Sequence, residues 1–420
     1  MIRLIEALNY RCLKYIRQPL EPFQVLVGPN ASGKTTFLDV VGFLGKLVSD
    51  GIGPAIEERT QNFHDLVFGR TGNWFELAIE ARIPDERKPL LKRNFEAIRY
   101  EVRIGLDEQT GEVGILGEQG WLKGADKVAV EQLDMFPREP DAPSSILVER
   151  AKSGWQKVLT KTHRGNDNFY VEVREQGAGK GWFPSYRLGP RKSALAGLPE
   201  DETHFPVSTW LKRMLTEGIQ QYMFNSLVIR KASPPGKGKG LGPDGSNLPW
   251  AIRELEQLEH QEKLRWWVEH LRTALPDLEA IRTVERPDDR HRYLVLRYKG
   301  GLEAPSWMAS DGTLRLLALT IPAYLPGLTG ICLIEEPENG IHPSAVETAY
   351  KSLSSIYDAQ VLLATHSPVI LSIADVKNVL CFKKSESGAT DIVTGDAHPA
   401  LRDWKGEVNL GVLFAGGVLG

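Results

Sequence analysis

Residues 23–27 read FQVLV, residues 28–35 read GPNASGKT, and residues 36–41 read TFLDVV. The first run is apolar and suited to a buried strand. The second has the spacing GxxxxGK[ST], and the third begins a helix. Strand, glycine-bracketed loop and helix in that order form the setting in which this spacing wraps phosphate groups. Glycines let the backbone turn its N–H groups inward, and the helix start adds the positive end of its dipole. Gly28, Asn30, Ala31, Ser32, Gly33, Lys34, Thr35 and Thr36 are therefore the expected nucleotide contacts. Lys34 can reach the β- and γ-phosphates, and the Thr35 hydroxyl can ligate Mg²⁺.

Working outward, a second apolar run ends in acids: ICLIEE, residues 331–336. If its tip lies near the phosphate loop, Glu335 can support the metal and Glu336 can polarise an attacking water. Ser310-Asp311-Gly312-Thr313 precedes that run by 18 residues, with LRLLALTIPAYL between them as a helix. A further buried run, VLLAT (361–365), leads into His366, 30 residues after Glu336. A histidine at a strand end can hydrogen-bond a γ-phosphate and report its presence.

The remainder bounds the class. The chain has 420 residues, 42% hydrophobic and 25% charged, as in ordinary globular proteins. Length suggests two or three structural units. No apolar run reaches the about 18 residues of a membrane span, and the N-terminus lacks a signal-peptide block. Three scattered cysteines, Cys12, Cys332 and Cys381, point to a reducing, cytoplasmic setting. The formal net charge of −3 excludes a strongly basic footprint for the whole chain. By texture the chain divides into residues 1–110 with the phosphate loop, an irregular α+β insertion over 111–300, and 301–420 with the acidic strand and His366. FELAIEARI (75–83) and YEVRIGL (100–106) alternate like half-buried strands. Residues 249–275 read as one long helix, and no heptad run supports a long coiled coil.

In this ordered set the sequence resembles the ABC-type ATPase heads of the SMC, RecF and OLD group. GPNASGKTT, SDGTLRLLAL, ICLIEEPENGIHP and LLATHSP are similar to that group's Walker A, signature, Walker B with D-loop, and His-switch segments. The EEPENGIHP wording is nearest to OLD-type AAA ATPases of bacterial defence and their stand-alone relatives. The resemblance implies an α/β P-loop NTPase of ABC-head type. Its mixed sheet would be flanked by helices and joined by an antiparallel β subdomain and the long insertion. It further implies ATP and Mg²⁺ as cofactors and hydrolysis with Glu336 as base, Lys34 on phosphate and His366 as switch. Ser310 and Gly312 would contact the γ-phosphate of a nucleotide on another subunit, giving an ATP-sandwiched homodimer or a larger oligomer. Asn339 and Gly340 would line the subunit boundary. Gln61, His64 and Asp65 remain open as Q-loop candidates.

Only 54 residues follow His366, too few for the TOPRIM nuclease of OLD proteins. The expectation is a head that signals to a separate effector, such as a nuclease or toxin, in anti-phage defence. The alternatives are a nucleotide-gated scaffold with little turnover, or a RecF-like repair ATPase. The latter would use residues 151–192, where nine Lys/Arg meet three acids and interleaved aromatics that could grip DNA. Arg230, Lys231, Lys237 and Lys239 form a second basic loop. Trp266 and Trp267 read as helix packing, His342-Pro343 as a helix start, and the terminal GVLFAGGVLG as a packing or docking tail.

Overall fold

The structure is a computed structural model of the full chain that describes residues 1–125, 135–173, 185–238, 240–401 and 409–417. It contains two compact units. One comprises Met1–Glu21, Gly28–Ile219 and Leu380–Arg402, and the other Pro22–Val27, Gln220–Val379 and Asp403–Gly420. Each unit is thus assembled from three separate stretches of the chain.

The first unit is built on an eight-stranded antiparallel meander. Its long central strands are Ile2–Tyr10, Trp74–Arg82, Ala97–Leu106 and Val113–Lys123. The last two pair from Ala97↔Lys123 to Leu106↔Val113, with a register shift between Arg103 and Ile104. The loop helix, Lys34–Asp50, buries Phe37, Leu38, Val41, Phe43, Leu44 and Leu47. Gly45 lets it approach the helix Pro206–Thr216, since a Cβ there would lie 2.8 Å from the Leu215 carbonyl oxygen. Asp39 on the loop helix accepts hydrogen bonds from Tyr10 (2.6 Å) and Arg59 (2.7 Å).

Strand Trp74–Arg82 departs from the half-buried expectation, because its polar face is buried as well. Arg103 pairs with Glu76 at 2.5 Å, and the segment after Pro143 covers that carboxylate, donating to it from the Ile146 N–H. Glu80 holds Lys123 and Arg3, while Arg99 bridges Glu6 and Glu101. Charges satisfied by partners can be buried, and alternation alone does not register that.

The second unit centres on three parallel strands. The acidic strand Gly330–Glu335 pairs with the histidine strand Ala359–Ala364, which pairs in turn with the loop strand Phe23–Val27. Helix Pro343–Ser354 connects the first two, with the His342 side chain as its N-cap. This confirms the expected helix start. The signature helix, Asp311–Thr320, buries Leu314, Leu316 and Leu317. A smaller antiparallel sheet holds Leu278–Glu285, Arg292–Tyr298 and Glu303–Pro305.

The single helix expected over 249–275 is two, Leu248–Leu255 and Gln261–Leu271. Gln257 takes an extended ψ of 147°, and neighbouring Glu256 is turned to accept from the Thr283 N–H and hydroxyl, at 2.6 and 2.7 Å. The tryptophan pair also splits. Trp267 is buried, its indole donating to Thr320 at 2.8 Å, whereas Trp266 is 53% exposed. The terminal helix Leu410–Ala415 packs on Pro368–Ile373, close enough that a Cβ on Gly411 would lie 2.2 Å from the Pro368 carbonyl oxygen. That supports the packing reading of the tail.

Candidate functional site

Glu335, Ala364 and Leu26 stand level across the three parallel strands. The loop strand, the histidine strand and the acidic strand therefore end level at one edge of this sheet. Carboxyl ends of parallel strands are the usual place for ligands in α/β sheets.

The phosphate loop is built in the first unit. Gly28 and Gly33 have φ of 155° and 107°, the latter in the region that favours glycine. A Cβ on Gly28 would lie 2.3 Å from the Phe382 carbonyl oxygen, and one on Gly33 the same distance from Thr390 Oγ1. Side chains are thus excluded from the cradle wall. Ala31, with φ 61°, adds a left-handed residue that bends the loop. The buried Lys34 ammonium donates to the carbonyl oxygens of Gly28 (2.8 Å) and Pro29 (2.9 Å), which fixes it at the loop. No side chain caps the loop helix and no acid lies in its first turn, and the positive end of its dipole favours an anion there. Ser32 Oγ is buried without a partner among the described residues. Asn30 and Thr35 are exposed, while the half-buried Thr36 accepts from the Cys12 thiol at 3.4 Å.

In the second unit the structure brings Glu335, Glu336, Asn339, Gly340 and His366 into one loop system. Glu336 is exposed and left-handed, with φ 47°. Its N–H donates to the Ala364 carbonyl at 2.8 Å, and its carboxylate accepts from the Asn339 amide. Arg315 of the signature helix donates to the Asn339 carbonyl at 2.7 Å. Gly312 has a packing reason as well, since a Cβ there would be 3.0 Å from the Gly340 carbonyl oxygen. Ser310 is exposed and caps the signature helix, accepting from the Thr313 N–H at 3.1 Å. The Ser310 hydroxyl also lies 2.8 Å from Thr313 Oγ1.

Sequence reasoning passed over Glu338. Its Oε1 accepts from Thr365 Oγ1 at 2.8 Å and from the His366 N–H at 2.7 Å. The lone signal was a third acid in Glu-Pro-Glu, which reads as turn polarity.

The other expected features fare unevenly. Among Gln61, His64 and Asp65, Gln61 is exposed and Asp65 is tied to Thr60 and Arg70 in a short surface turn. Nothing there selects a Q-loop residue. In the basic zone Arg174, Lys180, Trp182 and Phe183 lie outside the described residues, as does Lys239 of the second basic loop. Of the rest, Lys161 pairs with Asp167, Arg164 with Asp107 and Arg191 with Glu112. Lys152 sits over the Trp155 ring and Lys157 over that of Trp121. Phe169 is buried and Trp155 packs edge-on against Trp121, whereas Tyr170 and Tyr186 are exposed. Burial pushes the Cys332 and Cys381 thiols up to about 12, consistent with inert packing. Among the described residues no cluster of three or more His, Cys, Asp or Glu could hold a metal, and no helix is long and apolar enough to cross a membrane. Mg²⁺ at phosphate sites typically needs only one or two protein ligands.

Residues 223–372 match the family model described as "AAA domain, putative AbiEii toxin, Type IV TA system". No curated protein matches the chain. Among solved structures it is similar to an Smc head bound to the C-winged helix domain of ScpA, at 14% identity and TM-score 0.53, covering 93% of this chain and 96% of that one. It is also similar to the Smc head domain of Pyrococcus furiosus, which has an extended coiled coil and is bound to the C-terminal domain of ScpA. There the identity is 13% and the TM-score 0.51, over 93% of this chain and 95% of the other. Such identities speak to fold, and the fold agrees with the ordered motifs: the chain is an α/β protein with the architecture of an ABC-type P-loop ATPase head.

Proposed function

We propose that the chain is an Mg²⁺-dependent ATPase that closes around ATP as a homodimer and signals to a separate effector, in the manner of bacterial anti-phage systems. The observation that carries this reading is the loop itself: two glycines packed so close to Phe382 and Thr390 that a Cβ would clash, a lysine ammonium held by the loop carbonyls, and a helix start without a side-chain cap. Its donor set fits a triphosphate. Lys34 and the loop N–H groups from Gly28 to Thr36 bind and orient the phosphates. Thr35 and Glu335 are the residues to hold Mg²⁺, which when bound supplies charge neutralisation to the phosphates. Glu336, exposed at the strand end and held by Asn339, takes a proton from water. His366 follows the histidine strand and senses the γ-phosphate. Ser310 and Gly312, at the exposed start of the signature helix, serve a nucleotide on the second copy.

The match of residues 223–372 to an AAA domain model supports the ATPase part of this reading; the nuclease or toxin activity is assigned to another chain by the proposal alone. Lys161, Arg164 and Arg191 meet acids within the first unit, which weighs for the effector reading over the DNA-repair one. Phosphate release by wild type, Lys34→Ala and Glu336→Gln tests the proposal, together with the mass of the Glu336→Gln protein in ATP and Mg²⁺. Equal release by all three proteins would remove it.

A further inference from the structure

We infer that Glu338 is the positioning residue for His366, an inference that rests on reading these strand ends as the hydrolytic site. The ladder between the acidic strand and the histidine strand ends at Glu335↔Ala364. Beyond it, Thr365 keeps one backbone bond, to the Leu26 carbonyl at 3.0 Å. The His366 N–H lies past the ladder, and a carboxylate receives it there. Glu338 Oε1 takes both that N–H and the Thr365 hydroxyl, at 2.7 and 2.8 Å. The same hydroxyl accepts from the Ser367 N–H at 2.9 Å, and Ser367 Oγ caps the next helix by accepting from Ile370. One carboxylate oxygen thereby fixes three consecutive residues around the histidine. Hydrogen bonds to an ionised carboxylate are shorter and stronger than neutral ones, so this hold is firm.

Glu338 is itself fixed by the turn that carries the base. Glu336 N–H is tied to Ala364, Asn339 N–H to the Glu336 carbonyl at 3.0 Å, and Ile341 N–H to the Glu338 carbonyl at 3.3 Å. Base and histidine are therefore held by a single short turn, and a movement of that turn moves both. A second observation separates this group from a plain brace. Glu338 Oε2 is buried with no donor among the described residues. Bracing needs one acceptor oxygen. Leaving the other bare is costly, and the turn bears that cost where the His366 backbone is set.

A double-mutant cycle on the full chain tests this. Glu338→Ala should lower kcat for ATP by roughly 10–100-fold, with KM within about threefold, as expected when a reacting geometry is displaced. Glu338→Gln keeps an acceptor oxygen and should recover kcat to within about fivefold of wild type. In a His366→Ala background, Glu338→Ala should cost no more than about twofold further. A full additional loss in that background, or a Gln variant no better than Ala, overturns the inference. Amide hydrogen exchange without nucleotide gives an independent readout. His366 exchange should accelerate in Glu338→Ala and stay near wild type in Glu338→Gln, and unchanged exchange in the Ala variant overturns it. If wild type hydrolyses ATP no faster than Lys34→Ala, the catalytic reading fails, and the exchange result still decides the positioning.

Discussion

Glu172 should make the first unit lose stability as pH rises through neutrality. The side chain is buried below the start of the helix Pro206–Thr216, accepting from the Val207 N–H (2.6 Å), the Ser208 N–H (3.0 Å) and the Ser208 hydroxyl. Burial outweighs those bonds and pushes its carboxyl from the ordinary 4.5 up to about 7. A folded-state value above the unfolded one means that the native protein holds the proton more tightly. Stability from this group is then complete below pH 4.5 and is lost as pH rises from there through 7. At about 1.4 kcal/mol per pH unit across that window, the loss is about 3 kcal/mol. Glu172→Gln has no proton to lose. Urea unfolding of both proteins between pH 4.5 and 8 should give a stability difference that drifts by about 3 kcal/mol towards the variant as pH rises. Other buried acids, Glu101 and Glu118 among them, titrate in both proteins and cancel in the difference. The slope carries the test, since the amide also presents N–H groups to backbone donors and lowers stability at every pH. A difference that stays flat, or drifts towards wild type, refutes the reasoning.

Two further substitutions probe the phosphate loop and its helix. Asp39→Ala strands the buried Tyr10 hydroxyl and the Arg59 guanidinium. It should cost about 3 kcal/mol in urea unfolding, and a cost below about 1 kcal/mol would show that the cluster holds nothing. Gly33→Ala forces a left-handed alanine against Thr390. It should lose about 1–3 kcal/mol of stability and abolish the rise in melting temperature that ATP gives the wild type; an unchanged ATP shift counts against the cradle.

The sequence was most legible where one residue type serves one purpose. Strand, loop and helix around Lys34 appear as read, since apolar runs and glycines report burial and backbone freedom directly. The acidic and histidine strands, and the cap at His342, follow for the same reason. Legibility failed where meaning depends on a partner distant in sequence. The polar face of Trp74–Arg82 looks solvated until Arg103, Arg3 and Lys123 are placed beside it. The break at Gln257 is set by Glu256 turning to Thr283, 27 residues on. Glu338 is indistinguishable from turn polarity until the histidine strand lies next to it. In the basic zone, Lys161, Arg164 and Lys157 meet acids and a ring that composition counts separately.

Steady-state phosphate release by the purified full chain, with ATP and Mg²⁺, tests the central claim most directly. Lys34→Ala and Glu336→Gln are each expected to fall at least about 100-fold below wild type. Glu336→Gln should still bind ATP, and should gather with it into a dimer that wild type forms only transiently. Wild-type release no faster than either variant would contradict the account.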